Sequence, residues 1–180
     1  MADEFRLETE RLVLRGWREA DIDPFWASAC DPAVMRYLPA MASRDEAVAR
    51  YHAQTAMQAE HGYCFWVIER TADGAFLGQC GLCPPRDPFT EVEIGWRLNR
   101  AAWGQGYAIE AARAALAWGW AHTATPTVIA VTVPANAPSW RVMDKLGMAR
   151  NPAEDFDHPA VADDSPLKRH ILYRIHRPEN

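Results

Sequence analysis

The run Trp103–Gly104–Gln105–Gly106–Tyr107 constrains this chain more than any other. Two glycines stand one residue apart, directly before "YAIEAARAALAWGWAH", a segment with the composition of a long helix. Each glycine costs roughly 1 kcal/mol of helix propensity relative to alanine. Glycine at this point marks either a turn that needs positive φ or a backbone that something approaches closely. Ahead of the pair, "EVEIGWRL" alternates with the period of a half-buried strand. Val92, Ile94, Trp96 and Leu98 fall on one face, and Glu91, Glu93, Gly95 and Arg97 on the other. Strand, glycine loop and helix in that order bring successive free amides and a positive dipole end to one spot, which is the physical basis of an anion site.

Two familiar phosphate loops do not fit. A P-loop needs a lysine followed by Ser or Thr after its last glycine, and none is present. A dinucleotide fingerprint needs a third glycine where Ile109 stands, and an acidic residue near Pro126. What remains is a diphosphate approaching the main chain at Gly104 and Gly106, with charge-assisted amide bonds contributing ~1.5–3 kcal/mol each.

The rest of the chain surrounds this unit with short, punctuated elements. "RLVLRG" predicts a strand from Arg11, and Arg18 to Cys30 a helix with Ile22, Phe25, Trp26 and Ala29 on one face. Ser43 followed by Glu46 predicts a capped helix start, closed by Gly62. "CFWVIER" and "AFLGQCGL", joined through Asp73-Gly74, read as a hairpin. The helix from Tyr107 to His122 is expected to bury Ile109, Ala112, Leu116 and Trp120. "TVIAVTV" reads as a strand buried on both faces. "NAPSWRVMDKLG" is a short helix ending on Gly147, "RNPAEDFDHPAVADDSP" a loop, and "HILYRIH" a last strand. Trp26, Trp66 and Trp96 read as core, and Trp103 and Trp140 as flanks of the glycine-loop cleft. The fold class is α+β (mixed α/β): a central, mixed, mostly antiparallel sheet flanked by helices, in one domain over residues 1–180.

The segment "EVEIGWRLNRAAWGQGYAIEA" resembles the acyl-CoA-binding core of the GNAT acetyltransferases. The similarity is strongest to the RimJ/RimL-like branch, typified by the amino-terminal acetyltransferases of ribosomal proteins. "NAPSWRVMDKLGM", "ETERLVLRGW", "DPAVMRYLP" and "FLGQCGL" match that branch in order, so the resemblance covers nearly the whole chain. It implies a GNAT-like fold with an acyl-CoA cleft at splayed strands, and acetyl-CoA as co-substrate. The family's phosphate-loop pattern falls on Trp103, Gly106 and Ala108. Trp103 replaces the usual Gln or Arg, as is common in this branch. The amides of Gly104, Gln105, Gly106, Tyr107 and Ala108 are then expected to hold the pyrophosphate. The strand bearing Trp96 and Leu98 would pair with the pantetheine arm, and the amide near Leu98 would point at the thioester carbonyl. Asn136 would contact the pantetheine, and Ser139 would lie near the sulfur.

Acyl transfer to an amine needs an uncharged amine, a stabilised oxyanion and a proton for the thiolate. Many relatives carry a Tyr seven residues after the helix-opening Asn; here that position is Met143, which cannot donate a proton. Ser139 is the substitute the branch pattern suggests, and Glu93, or Glu91, is the candidate base acting through water. Glu154, Asp155, Asp157, Asp163 and Asp164 in the acidic stretch are expected to help attract a cationic acceptor. The function expected is transfer of acetyl from acetyl-CoA to a primary amine. The alternative is a catalytically silent acyl-CoA-binding module.

Charge and cysteines narrow the partners. A formal net charge of −5 argues against a nucleic-acid groove. No apolar run reaches the ~20 residues of a membrane span. The charged start "MADEFRLETERL" lacks the apolar stretch of a secretory signal, so a cytoplasmic location is expected. Cys80 and Cys83 spell CxxC, but no second ligand pair accompanies them and a strand would point them to opposite faces, so no metal is expected. Monomer and homodimer both remain open.

Overall fold

A computed structural model describes residues 5–179; residues 1–4 and 180 lie outside it. The chain order is β1 (Arg6–Glu8), β2 (Leu12–Arg15), α1 (Ile22–Ala29), α2 (Arg44–His61), β3 (Phe65–Arg70), β4 (Phe76–Cys83) and β5 (Val92–Leu98). Then follow α3 (Tyr107–His122), β6 (Thr127–Thr132), α4 (Ala137–Lys145), β7 (Ala149–Arg150), β8 (Phe156–Asp157) and β9 (Arg169–His176). The strands form one open sheet in the order β1-β2-β3-β4-β5-β6-β9-β7, with β8 also paired to β9. Every pairing is antiparallel except β5 with β6. This is the mixed α+β sheet that the alternating segments predict.

The parallel pair is where the sheet comes apart. Register between β5 and β6 is limited to Val92 with Val128 and Glu93 with Ile129. Beyond those residues β5 runs on to Leu98 and β6 to Thr132 without pairing to each other, which leaves a wedge between them. On the other edge β5 stays zipped to β4 through Gly78 opposite Leu98.

Helix α3 covers one face of β4 and β5, whereas α1 and α2 lie over the other. The buried face of α3 differs from the expected stripe. Tyr107, Ala111, Ala112, Ala115, Leu116 and Gly119 are buried, and Ile109 and Trp120 sit half-buried at the rim. Small residues win because they let the helix backbone settle closely on the sheet, where packing density matters more than side-chain size. Beneath lie Leu12, Leu14, Trp66, Ile68, Leu82 and Ile94, all essentially inaccessible.

Several local expectations change. The helix expected from Arg18 opens as a 3-10 turn over Glu19–Asp21, and α1 proper starts at Ile22. Ser43 occupies the cap position of α2 without a side-chain capping bond, and Gly62 closes the helix in the left-handed region as expected. The acidic stretch is more than a loop: it holds a 3-10 turn at Pro152–Glu154 and the strand β8 on β9. Of the tryptophans read as core, Trp66 is fully buried, while Trp26 and Trp96 are half-buried.

Candidate active site

The glycine loop lies at the mouth of the wedge. Gly104 (φ 73°) and Gly106 (φ 81°) are both in the left-handed region, where a Cβ is strained. A Cβ on Gly104 meets nothing within 4 Å, so the space in front of that backbone is open. Gly106 caps α3 with no side-chain capping bond. The N–H groups from Gly104 through Ala108 find no acceptor among the described residues. Helix starts always leave such orphan donors, and the positive dipole end of α3 begins at the same loop.

The loop is held from behind by residues far away in sequence. Arg11 donates from Nη1 to the Gln105 carbonyl at 2.9 Å, and its guanidinium lies over the Tyr107 ring at 4.7 Å. Glu110, in the first turn of α3, accepts from Thr9 Oγ1 at 2.6 Å, from Arg11 N at 2.9 Å and from Arg11 Nε at 2.7 Å. Burial alone would raise the Glu110 pKa, but the bonds from Thr9 and Arg11 hold it below the ordinary range. The sequence matches "ETERL" and "YAIEA" thus belong to one physical clamp, which no spacing rule reveals.

A cleft of about 650 Å³ opens from the loop. Its walls include Trp96, Leu98, Trp103, Gly104, Gly106, Tyr107 and Ala108, together with Asn136 and Ser139 of the α4 start. The segment after α1 supplies Val34, Tyr37 and Leu38. Gln105, expected with this group, turns its side chain back to the Ala101 carbonyl at 2.8 Å and does not line the cleft. Trp140 also lies outside the lining, with its indole N–H on the Pro134 carbonyl at 3.3 Å. Trp103 is the exposed large hydrophobic at the mouth, 48% accessible, and its indole N–H donates to the Leu98 carbonyl at 2.9 Å.

That bond fixes which backbone groups face the wedge. Asn99 N–H donates to the Leu77 carbonyl on the β4 side. In an antiparallel ladder successive residues alternate edges, so the main-chain groups of Leu98 and Trp96 face away from β4. They face the side that β6 has left. Gly78, which carries no motif signal in the sequence, makes this edge possible. A Cβ there would lie 2.1 Å from the Arg97 carbonyl oxygen and 2.7 Å from the Leu98 Cα.

On α4, Asn136 takes the cap position and donates from Nδ2 to Thr132 Oγ1 at 3.0 Å. The Ser139 hydroxyl has no protein partner among the described residues. Met143 is buried and faces the core rather than the cleft.

The carboxylates expected near the reaction are not free. Glu93 accepts from Arg86 Nη2 at 2.5 Å, and it does not line the cleft. Glu91 accepts from Arg174 and from Thr127 Oγ1, and the Arg174 bonds in particular hold its pKa down. In the acidic stretch Glu154 pairs with Arg174, Asp155 with Arg150, Asp157 with Arg169 and Asp163 with Lys168. These partners neutralise most of the field expected to attract a cation. Cys80 and Cys83 face opposite sides of β4, and burial pushes the Cys83 thiol up to about 11 and that of Cys80 further.

Residues 11–149 match the family described as Acetyltransferase (GNAT) domain. The chain belongs to that family of acetyltransferases. Among curated relatives, the uncharacterized N-acetyltransferase YnaD of Bacillus subtilis is 33% identical over 145 residues, covering 80% of this chain and 82% of that protein. The crystal structure of a GNAT-family acetyltransferase from Bacillus anthracis superposes with a TM-score of 0.82 at 24% identity, covering 97% of this chain and all of that one. RimL, the ribosomal L7/L12 alpha-N-protein acetyltransferase in complex with coenzyme A, superposes with a TM-score of 0.79 at 12% identity, covering 96% of this chain and 98% of that one. No helix among the described residues is long and apolar enough to cross a membrane.

Proposed function

We propose that the chain is one domain, working in the cytoplasm, that transfers acetyl from acetyl-CoA directly to a primary amine in a ternary complex. The amine is a peptide amino terminus or a small amine. The observation that carries this reading is the row of unpartnered N–H groups from Gly104 to Ala108, at the open end of β5 and β6. Acetyl-CoA supplies the thioester carbonyl and a diphosphate handle. The loop amides and the dipole of α3 take the charge of the diphosphate. The outward groups of Trp96 offer an open strand edge to the pantetheine arm, and the Leu98 N–H, whose own carbonyl is taken by the Trp103 indole, serves as oxyanion donor. Asn136 lies beside the same arm, and Trp103 covers the mouth.

In the transfer the amine nitrogen bonds to the carbonyl carbon and the carbon–sulfur bond breaks. The amine gives up one proton, and the thiolate takes one. Ser139, which lines the cleft, hydrogen-bonds that thiolate; a serine is too weak an acid to protonate it unaided, so solvent completes the step. Glu93, held by Arg86 outside the cleft lining, takes the amine proton only through intervening water.

Thiol release measured with acetyl-CoA and a panel of peptides and small amines tests the reading. Release that depends on the amine, together with coenzyme A binding that valine at Gly104 and Gly106 abolishes, is the expected result. Binding without release for any amine would make the chain a silent acyl-CoA module instead. Failure to bind coenzyme A would overturn both.

A further inference from the structure

Arg97 is a cation in an expensive place. It extends from β5 on the face opposite α3, with its guanidinium carbon 4.0 Å from the Phe25 ring centre and Nη1 3.7 Å from the Met35 sulfur. Its Nη2 is buried with no hydrogen-bond partner, and no carboxylate lies within 4 Å among the described residues. Opposite it on β4, Gln79 Oε1 is a second buried atom without a partner among the described residues. Burial and then nearby Arg50 pull the Arg97 pKa down to about 10, which leaves it charged at neutral pH. Arg97 as a whole is half-buried, but a charge drawn partly out of water without a counter-ion costs stability, and a well-packed apolar side chain of similar size is the cheaper choice there.

The same side chain lines the cleft that holds the glycine loop and Ser139. It also immediately precedes Leu98, whose N–H faces the wedge. A group bound at Arg97 and a group reacting beside Leu98 therefore lie within the span of one small molecule. Met35 is a displaceable cover: a thioether is a weak acceptor on a flexible, unbranched side chain. The acids of the 150–165 stretch are mostly paired with cations, so they do not compete for this one.

We propose that Arg97 anchors an anionic group on the acceptor, so that the amine this chain acetylates carries a carboxylate, as an α-amino acid does. The carboxylate takes the place of the Met35 sulfur against the guanidinium, and Gln79 offers an acceptor to an N–H beside it. The proposal rests on the acetyl-transfer reading for the word acceptor, although the anchor itself is tested by binding alone.

The experiment uses a panel of α-amino acids, each with its carboxamide. Binding is followed by tryptophan fluorescence with coenzyme A present, and turnover by thiol release. For the preferred amino acid, the acid is expected to bind and react at least about tenfold better than its amide, the ratio one charge-assisted pair supports. Arg97→Met collapses that ratio to about unity, and Arg97→Lys keeps part of it, with folding of both checked by circular dichroism. An unmodified chain that treats acid and amide alike across the panel, or a ratio that survives in Arg97→Met, overturns the anchor. Acid-selective binding without thiol release would uphold the anchor and sink acetyl transfer, whereas equal release from acid and amide would do the reverse.

Discussion

Arg11 and Glu110 stand 99 residues apart in sequence, yet the Glu110 carboxylate takes both the Arg11 main-chain N–H and its Nε, at 2.9 and 2.7 Å. Through the same guanidinium the Gln105 carbonyl is pulled toward the β1–β2 turn. Turning a loop carbonyl backward is one way to leave the loop N–H groups pointing forward. Glu110 is thus a positioning residue for the anion site, not a contact in it.

Glu110→Gln should therefore weaken coenzyme A binding about three- to tenfold and lower stability by about 1–2 kcal/mol, since hydrogen bonds to a charged group are lost and Arg11 is partly solvated. A pH profile separates this role from mere packing. The Glu110 pKa is held below its ordinary 4.5 in the folded chain. Its contribution is therefore present above that value and lost as pH falls through the folded pKa. Thermal melts from pH 7 down to pH 3 should show an acid-side loss that is shallower in Glu110→Gln. Parallel curves for the two proteins would remove Glu110 from this role.

Gly104→Val and Gly106→Val test the loop itself. Each forces a β-branched residue to positive φ, at a cost of roughly 1–2 kcal/mol. At Gly106 the new Cβ also lies 3.4 Å from Arg11 Nη2, whereas at Gly104 it points into open space. The Gly104 variant is the cleaner probe: its fold should survive, while coenzyme A affinity measured by calorimetry falls about 10- to 100-fold. Unchanged affinity in Gly104→Val would mean that the diphosphate does not use this backbone.

Much of this site is readable in the sequence because its parts are contiguous. "EVEIGWRL" alternates, the glycines punctuate, and the helix follows within a single run of residues, so local rules suffice. The Arg11–Glu110 clamp escapes such rules, since two charged residues far apart carry no periodic signal. Arg97 escapes for the opposite reason: on an alternating strand it falls on the polar face, which reads as solvent-exposed until α1 lays Phe25 across it. The buried face of α3 escapes a ranking by hydrophobicity, which places Ile109 and Trp120 above Ala111 and Ala115. The two-residue strands β7 and β8 are too short for any period to show.

The cysteines give a chemical check on the sheet. Cys30 is exposed, and Cys64, Cys80 and Cys83 are buried. Burial raises the pKa of all three inner thiols, which suppresses the nucleophilic thiolate. A native-state titration with a chromogenic disulfide should find one fast thiol, and the other three should react only on unfolding. Cys30→Ser should remove the fast phase. Two fast thiols released together would point to Cys80 and Cys83 as a reactive pair and would contradict their placement on opposite faces of β4.

Ser139 stands in the first turn of α4, lines the cleft and has a hydroxyl without a partner among the described residues. If that hydroxyl meets the departing thiolate, its stabilisation exists only as the carbon–sulfur bond breaks, so removing it should lower kcat and leave ground-state binding alone. Ser139→Ala is expected to reduce kcat about 10- to 100-fold with acetyl-CoA affinity within about twofold of the parent, because one hydrogen bond to a charged group sets that scale. Ser139→Cys, which restores a weak acid at the same position, should recover part of the rate and shift its alkaline limb toward lower pH. A Ser139→Ala variant that turns over at the parental rate, or one whose loss lies wholly in acetyl-CoA affinity, would leave the thiolate to solvent alone. Ser139 would then be only a wall of the cleft.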